Sequence, residues 1–222
     1  MRHLPVFLDV RQRMCALVGG GTIAARRFEW LHSAGASLRI IAPQLHASLA
    51  QHVDGQNVVH FAEPFRPSHL DGCLLAVCAT NDATVNAAVA RAARERGILA
   101  NVADHPERGD VIVPAVLERG PVTIAIASSG AGPVFSRWLR ARIASSLPAT
   151  IDRLAQFFAE RRDAVKQAIP DPVLRSHFLQ TQLDGPLPQL IEDGRSEEAE
   201  RQFSTALQQL PSHHAAHRPP RR

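Results

Sequence analysis

The sequence contains no tyrosine, a single lysine and only three cysteines in 222 residues. The cysteines, Cys15, Cys73 and Cys78, show no CxxC spacing, which argues against a disulfide framework and against a zinc site built from thiolates. Cys15 and Cys78 lie in apolar, strand-like runs, so we expect both to be buried. No stretch reaches the roughly 18 apolar residues that a membrane span requires, and the first residues lack the apolar segment of a secretion signal. These absences predict a cytoplasmic protein without a membrane partner.

The basic side chains are almost all arginines, and the formal net charge is +4. Nucleic-acid binding is one explanation of such a charge. The basic residues are scattered, however, and aromatic residues for base stacking are few, so we expect no nucleic-acid partner. Arginine also grips carboxylates and phosphates through its planar fork. A small polyanionic ligand and a plain codon bias therefore both remain open as explanations.

The first half of the chain alternates strand-like and helix-like segments, about six steps in all, which is typical of a parallel sheet covered by helices. The predicted strands are Met14–Val18, Leu38–Ile41, Val58–Phe61, Leu74–Ala79 and Leu99–Val102. The predicted helices are Thr22–Ser33, Gln44–Gln51 and an alanine-rich segment that opens with Asn81 and Asp82 as cap candidates and ends at Gly97. The fold class predicted for this half is a doubly wound, Rossmann-like α/β domain.

From Val111 onward the pattern changes. Two strand-like runs joined by a turn at Glu118–Pro121 predict a hairpin rather than a crossover. Four helices are predicted after the hairpin, at Pro133–Ser146, Ile151–Ala168, Pro172–Gln182 and Ser196–Leu210. The segment "LDGPLPQ" is predicted to be a loop between the last two of them. The fold class of the second half is therefore a small α+β region followed by a helical region.

Three consecutive glycines stand between the first predicted strand and the first predicted helix, in the stretch "ALVGGGTIAARR". Gly19, Gly21 and Ala24 fit G-x-G-x-x-A, a pattern that is informative only in this strand–turn–helix context. The first glycine permits the turn, the second lets the backbone approach a pyrophosphate, and the small third residue allows close helix–strand packing. The helix N-terminus would face the phosphates. The pattern predicts dinucleotide binding, with a plain tight turn as the alternative.

An acidic residue that would hold the adenosine ribose is missing from the end of the second predicted strand. Ala42, Pro43 and Gln44 occupy that corner. Arg39 in the strand and Arg26 in the first helix leave a phosphorylated ribose open. The residues favour NAD over NADP without deciding between them.

Four separated segments, in the same order along the chain, resemble the siroheme synthase precorrin-2 dehydrogenase family. They are "HLPVFLDVRQRMCALVGGGTIAARR", "CATNDATVN", "NVADHPERGDVIVPAVLERGPVTIAIASSG" and "PVFSRWLRARIASSLP". The likeness is in register over residues 1–150 and looser to residue 210. The family includes stand-alone dehydrogenases, dehydrogenase/ferrochelatases and the N-terminal half of fused siroheme synthases. The fused methyltransferase half is not expected in this chain.

The resemblance implies an oxidoreductase that converts precorrin-2 to sirohydrochlorin with NAD, on a homodimer. In many members it also implies a lyase activity, the insertion of Fe²⁺ as a substrate to give siroheme. The implied domains are an NAD-binding Rossmann domain over 1–112, a dimerisation region over 113–149 and a helical domain over 150–210, with a disordered tail over 211–222.

The resemblance also implies roles for individual residues, and no resident metal site is expected. Asp104 falls on the family's catalytic aspartate, and the "SSG" segment lies beside the tetrapyrrole pocket, which makes Ser128 and Ser129 the substrate-binding candidates. The implied cofactor-binding residues are Gly19, Gly20, Gly21, Thr22, Ile23, Ala42, Pro43, Gln44 and Thr80.

The chain departs from the family pattern in two places. After "SSG" the family usually has one more residue and a Thr-Ser pair before the proline, whereas this chain has only Ala131 and Gly132. The loop expected to contact substrate carboxylates is shortened accordingly. His105 follows the aspartate where a small or acidic residue is common.

The chemistry of the candidate residues leaves alternatives open. A carboxylate at the end of a sheet strand suits a general base, but Asp104 also suits a turn before Pro106. His105 is a surface-loop residue, a proton relay or an iron ligand. Arg137 and Arg140 lie on one helix face and suit either substrate carboxylates or dimer salt bridges. A nucleotide-sensing Rossmann module that regulates a partner without catalysis is the alternative function.

Overall fold

A five-stranded parallel sheet forms the framework of the first of two units, residues 1–113 and 114–222, into which the chain divides. The computed structural model describes residues 3–128 and 130–209. The predicted disordered tail over 211–222 therefore lies outside the described residues. The strands are β1 Met14–Val18, β2 Ser37–Ile41, β3 Val58–Phe61, β4 Leu75–Cys78 and β5 Leu99–Val102, in the order β3-β2-β1-β4-β5.

Three α-helices belong to this sheet: α1 Thr22–Ser33, α2 Ala47–Ala50 and α3 Ala83–Glu95. Asp82 caps α3 by accepting hydrogen bonds from the backbone N–H groups of Thr84 and Val85 at 2.8 and 3.2 Å. The prediction of a Rossmann-like parallel sheet is confirmed. The number of steps was overestimated, since the sheet has five strands.

The helix predicted over Gln44–Gln51 is much shorter in the structure, Ala47–Ala50. Residues 44–46 stay non-helical because the His46 N–H donates to the Gly20 carbonyl at 2.7 Å, and the His46 ring then accepts from the Ser48 N–H at the start of α2. This loop is held against the glycine turn, where it is needed for the cleft described below.

Side chains of the strands alternate between two buried clusters, one on each face of the sheet. On β1, Cys15 and Leu17 pack with Phe28 and Leu31 of α1, whereas the next residues along the strand, such as Val18, pack on the other face. That second cluster contains the buried residues of α3, Val89, Ala90, Ala92 and Ala93. Burial on both faces is why the strands are continuously apolar.

The second unit opens with an antiparallel hairpin of β6 Ala115–Arg119 and β7 Val122–Ile126. Gly120 in the turn has φ 53°, a left-handed conformation that glycine adopts without strain. The helices that follow are α4 Pro133–Ser146, α5 Ile151–Ala168, α6 Pro172–Asp184, α7 Leu187–Glu192 and α8 Ser196–Gln208. The prediction of a loop at "LDGPLPQ" missed α7, which begins directly after Pro186 and buries Leu187 and Ile191, four residues apart.

An aromatic cluster organises the core of this unit. Phe203 of α8 is 2% exposed, and its ring centroid lies 5.3, 6.0 and 5.4 Å from those of Phe157, Phe158 and Phe178. All three pairs are edge-on, the arrangement that aromatic quadrupoles favour. Helix α4, in contrast, buries none of its residues.

Each unit contains one of the two tryptophans. Trp30 of α1 is partly buried against the first sheet cluster, and Trp138 of α4 is 56% exposed. Val134 and Phe135 on the same helix are exposed as well. None of the helices in the described part of the chain is long and apolar enough to cross a membrane.

Candidate active site

The first two glycines of the turn after β1 are required by the fold. Gly19 has φ 127°, its N–H donates to the Ile41 carbonyl at 3.0 Å, and a Cβ there would lie 2.3 Å from the Ala79 carbonyl oxygen. A Cβ on Gly20 would lie 2.0 Å from the Gln44 carbonyl oxygen. Both positions exclude a side chain because the residue after β4 and the loop after β2 approach them closely.

No contact within the protein requires a glycine at position 21. Its φ is −89°, which any residue adopts, and a Cβ built there meets nothing within 4 Å. Helix α1 begins at the next residue, with no side-chain cap and no acidic residue in its first turn. Open space beside an uncapped helix N-terminus suits the close approach of a pyrophosphate. The residues present therefore fit a dinucleotide.

A cleft of 630 Å³ extends from this turn along the carboxyl ends of β1, β2 and β4. From β1 the chain builds the sheet first on one side, through β2 and β3, and then on the other, through β4 and β5. The cleft lies at this point of reversal, which is where open α/β sheets bind ligands. Every residue that the sequence analysis assigned to the cofactor lines this one cleft: Gly19, Gly20, Gly21, Thr22, Ile23, Ala42, Pro43, Gln44 and Thr80.

The cleft lining contains no arginine, lysine or carboxylate among the described residues. Arg39 is one of the two arginines that suggested a phosphorylated ribose, but it binds other groups in the structure. Its Nη1 donates to the carbonyls of His69 and Asp71 at 2.6 and 3.2 Å. Arg26 is exposed and does not line the cleft. A dinucleotide would therefore be held by backbone N–H groups, and a 2′-phosphate would find no guanidinium there.

Asp104 lies two residues beyond the end of β5 and is exposed to solvent. Its Oδ1 accepts a hydrogen bond from the Asn86 side-chain Nδ2 at 3.2 Å. Asn86 belongs to α3 and bonds to Thr80, which lines the cleft. The candidate catalytic carboxylate is thus connected to the cleft through one buried amide.

The Cys78 thiol, at the end of β4, is fully buried near this carboxylate. Burial raises its pKa to about 12, and the charge of Asp104 adds to the shift. A thiol with such a pKa stays protonated at neutral pH and is a poor nucleophile. Cys78 is therefore a core residue, as the sequence predicts.

His105 does not bond to Asp104. Its Nδ1 lies 3.0 Å from the Glu107 Oε1, and the pKa of Glu107 is lowered by a backbone hydrogen bond and by this histidine. The described residues contain no group of three His, Cys, Asp or Glu side chains arranged to hold a metal ion.

Ser128 belongs to the second unit, where its Oγ accepts a hydrogen bond from the Ser136 Oγ of α4 at 2.9 Å. Ser129 lies outside the described residues. Arg140 of α4 donates to the Val116 carbonyl at 3.2 Å. The substrate-binding roles of both serines stay predictions.

Sequence reasoning missed several residues of the site. Pro64 and Phe65, which line the cleft, lie in an irregular segment after β3 and follow no periodic pattern. Asn86 stands within the quoted segment "CATNDATVN", where a polar residue on the buried face of an alanine-rich helix was the available signal.

Three family models match consecutive parts of the chain. Residues 6–115 match an NAD(P)-binding family, residues 119–146 match the family described as "Sirohaem biosynthesis protein central", and residues 150–207 match the "Sirohaem synthase dimerisation region". The second and third families bear the name of one biosynthetic system.

Curated relatives and a solved structure agree with these matches. The siroheme synthase of Methylobacillus flagellatus is 42% identical over 207 residues, which are 93% of this chain and 44% of that protein. The siroheme synthase of Chromobacterium violaceum is 45% identical over 194 residues, 87% of this chain and 41% of that protein. The chain therefore spans less than half the length of these relatives. The structure titled "SirC, precorrin-2 dehydrogenase" is similar in fold, with a TM-score of 0.74 at 24% identity, covering 93% of this chain and 100% of that one.

Proposed function

Because the chain belongs to the siroheme synthase N-terminal, precorrin-2 dehydrogenase family, we propose that it oxidises precorrin-2 to sirohydrochlorin with NAD as acceptor. The observation that carries the proposal is the cleft at the glycine turn, in which an open Gly21 adjoins the uncapped N-terminus of α1. A regulatory nucleotide sensor would need that cleft, but it would not need a carboxylate such as Asp104 linked to it.

NAD, when bound in the cleft, would supply the acceptor for the hydride that the substrate loses in the proposed reaction. Asp104, as general base, accepts the proton released in the same oxidation on its Oδ2, since Oδ1 already accepts from Asn86. The N–H groups at the start of α1 bind the pyrophosphate. The products are sirohydrochlorin, NADH and a protonated carboxyl group, which returns its proton to water because Asp104 is exposed.

We assign the predicted domains to this function: residues 1–112 bind NAD, 113–149 and 150–210 support a homodimer, and Ser128 and Ser129 contact the tetrapyrrole. The match to a dimerisation region over 150–207 supports the homodimer. The exposed apolar side chains of Val134, Phe135 and Trp138 support it as well. Sedimentation of the purified chain as a monomer at micromolar concentration would contradict it.

A cytoplasmic location fits this proposal. Cys15, Cys73 and Cys78 are free thiols, all of them buried. Free thiols are usual in the reducing cytoplasm.

The experiment is an anaerobic assay of the purified chain with precorrin-2 and either NAD or NADP, in which NADH or NADPH and sirohydrochlorin are measured together. We expect equimolar NADH and sirohydrochlorin, and a kcat/KM for NAD about tenfold or more above that for NADP, because the cleft offers no guanidinium. NAD binding without conversion would favour the sensor. Adding Fe²⁺ to the same assay tests whether siroheme also forms.

A further inference from the structure

We propose that Asn86 is a positioning residue that holds Asp104 in its reactive orientation and links it to Thr80 of the cofactor cleft. The inference rests on the proposed function, because Asp104 acts as general base only there. It adds a residue of α3 that the family resemblance did not assign. The side chain of Asn86 is 2% exposed and bonds only to Thr80 and Asp104 among the described residues.

Thr80 fixes which way the Asn86 amide faces. The Thr80 backbone N–H can only donate, and it lies 3.3 Å from the Asn86 Oδ1, while the Thr80 Oγ1 lies 2.8 Å from the same oxygen. The Thr80 carbonyl can only accept, and it lies 3.1 Å from the Asn86 Nδ2. The amide therefore has a single orientation. Its second N–H necessarily faces Asp104.

The bond from Asn86 distinguishes the two oxygens of Asp104. The Asp104 Oδ1 accepts a hydrogen bond from the Asn86 Nδ2 at 3.2 Å. Among the described residues, the Asp104 carboxylate accepts no other hydrogen bond. The Asp104 side chain is otherwise exposed to solvent, so without this bond rotation about χ1 between its rotamers would be open to it. Holding one oxygen limits that rotation and leaves the other oxygen to receive a proton. Preorganisation of this kind is what a general base requires.

Apolar packing alone does not explain an asparagine at this place. The other buried residues of α3 are valine and alanines, and an apolar residue at position 86 would leave the Thr80 N–H and carbonyl without the bonds that Asn86 makes to them. Asn86 uses both of its amide hydrogens and its oxygen, and every partner belongs to Thr80 or Asp104. Since Thr80 lines the cleft, the amide ties the carboxylate to the wall of the cofactor site.

The test is a double-mutant cycle on the full chain with Asn86→Leu and Asp104→Asn. We expect Asn86→Leu to lower kcat by about 10- to 100-fold, the cost of a misplaced catalytic group, and to raise the Kd for NAD as well, because it also removes the bonds that hold Thr80 in the cleft wall. In the Asp104→Asn background the same substitution should cause no further loss, because a residue that acts through Asp104 has nothing left to position. Additive losses would overturn the proposal.

Asn86→Asp is a second, nearly isosteric variant. It keeps the acceptor for the Thr80 N–H and hydroxyl but turns a carboxylate oxygen toward both the Thr80 carbonyl and Asp104. Repulsion should therefore displace Asp104 and lower kcat at least as much as Asn86→Leu. The control is Asn57→Asp, the same change of charge on an exposed loop residue, which should retain wild-type kcat. An equal loss of kcat for each Asn86 variant in the wild-type and the Asp104→Asn backgrounds would mean a structural role only.

Crystal structures of the wild type and Asn86→Leu provide a readout independent of activity. We expect Asp104 to lie within hydrogen-bond distance of Asn86 in the wild type and to change rotamer in the variant. An unchanged Asp104 in Asn86→Leu would overturn the positioning role. A wild type that fails to oxidise precorrin-2 while Asp104 moves as expected would instead reject the proposed function alone.

Discussion

A Cβ on Gly20 would lie 2.0 Å from the carbonyl oxygen of Gln44, whereas one on Gly21 meets no atom within 4 Å. The two adjacent glycines are therefore required for different reasons. Gly20 is needed so that the loop after β2 can close on the turn, and Gly21 is needed only if a ligand approaches the backbone.

Substituting each glycine by alanine separates these demands. Gly20→Ala should lower the free energy of unfolding by about 2 kcal/mol, the cost of overpacking. Gly21→Ala should keep the wild-type melting temperature but raise the Kd for NAD by about tenfold, because its methyl group occupies the space of the pyrophosphate. Thermal unfolding without cofactor and calorimetric titration with NAD measure the two effects.

Gly185→Ala is the matched control, since Gly185 has nearly the same backbone angles as Gly21 (φ −88°, ψ −165° against φ −89°, ψ −167°) but lies in the second unit. Its NAD affinity should equal that of the wild type. Unchanged NAD affinity in Gly21→Ala would show that the cleft does not bind the pyrophosphate at this turn.

Replacing Asp104 by asparagine tests the general base. Asp104→Asn keeps the shape of the side chain and an oxygen for Asn86, so we expect NAD affinity and stability to stay at wild-type values. The kcat for precorrin-2 oxidation should fall by about 10²- to 10⁴-fold. Glu107→Gln and His105→Ala are the controls, because these residues pair with each other and not with Asp104. Equal losses in all three variants would locate the chemistry outside Asp104.

Stability at alkaline pH should depend on the buried thiols. Burial raises the pKa of Cys15 to about 11 and that of Cys78 to about 12, from 9.0. Above pH 9.0 the unfolded chain therefore loses protons that the folded chain keeps, and the free energy of unfolding falls as the pH rises. Competing groups are few, since the chain has no tyrosine and its one lysine, Lys166, is exposed.

Urea unfolding of the wild type and the Cys15→Ala, Cys78→Ala double variant, at several values between roughly pH 7 and 10.5, measures this linkage. The wild type should lose stability with increasing pH, and the variant should show a shallower slope. Identical slopes would mean that the thiols titrate alike in the folded and unfolded chains.

The aromatic cluster of the second unit should be sensitive to truncation of its central ring. Phe203→Ala removes a 2% exposed ring that contacts three other phenylalanines, and should cost about 3 to 5 kcal/mol of stability. Hydrogen exchange of the α5–α8 amides measures the loss. Val173→Ala on α6, where the side chain is 76% exposed, should leave exchange unchanged. Equal exchange in Phe203→Ala would contradict the packing described for this core.

Local patterns predicted the elements well wherever an apolar run ends in a glycine or proline. β1, α1, β3, β5, α4 and α5 have the predicted bounds. Helix α7 was missed because its glycine and prolines resemble a loop, although Pro186 only opens the helix. Helix α2 was overestimated because the His46–Gly20 bond joins residues distant in sequence.

The same distinction between local patterns and contacts distant in sequence applies to the candidate site. The glycine turn was visible because its residues are contiguous and each has a local conformational reason. The hydrogen bonds from Thr80 through Asn86 to Asp104 join residues that follow two strands to one face of a helix. The pattern of a single segment cannot predict contacts between three separate segments. Phe65 reaches the cleft from an irregular segment for the same reason.

The two tryptophans lie in different units, Trp30 partly buried in the first and Trp138 largely exposed in the second. With no tyrosine in the chain, ultraviolet emission comes from these two indoles without a phenolic background. Each unit therefore has its own built-in fluorophore. Variants that keep a single indole, Trp30→Phe or Trp138→Phe, would let solvent quenching and spectral shifts report on one half of the molecule at a time.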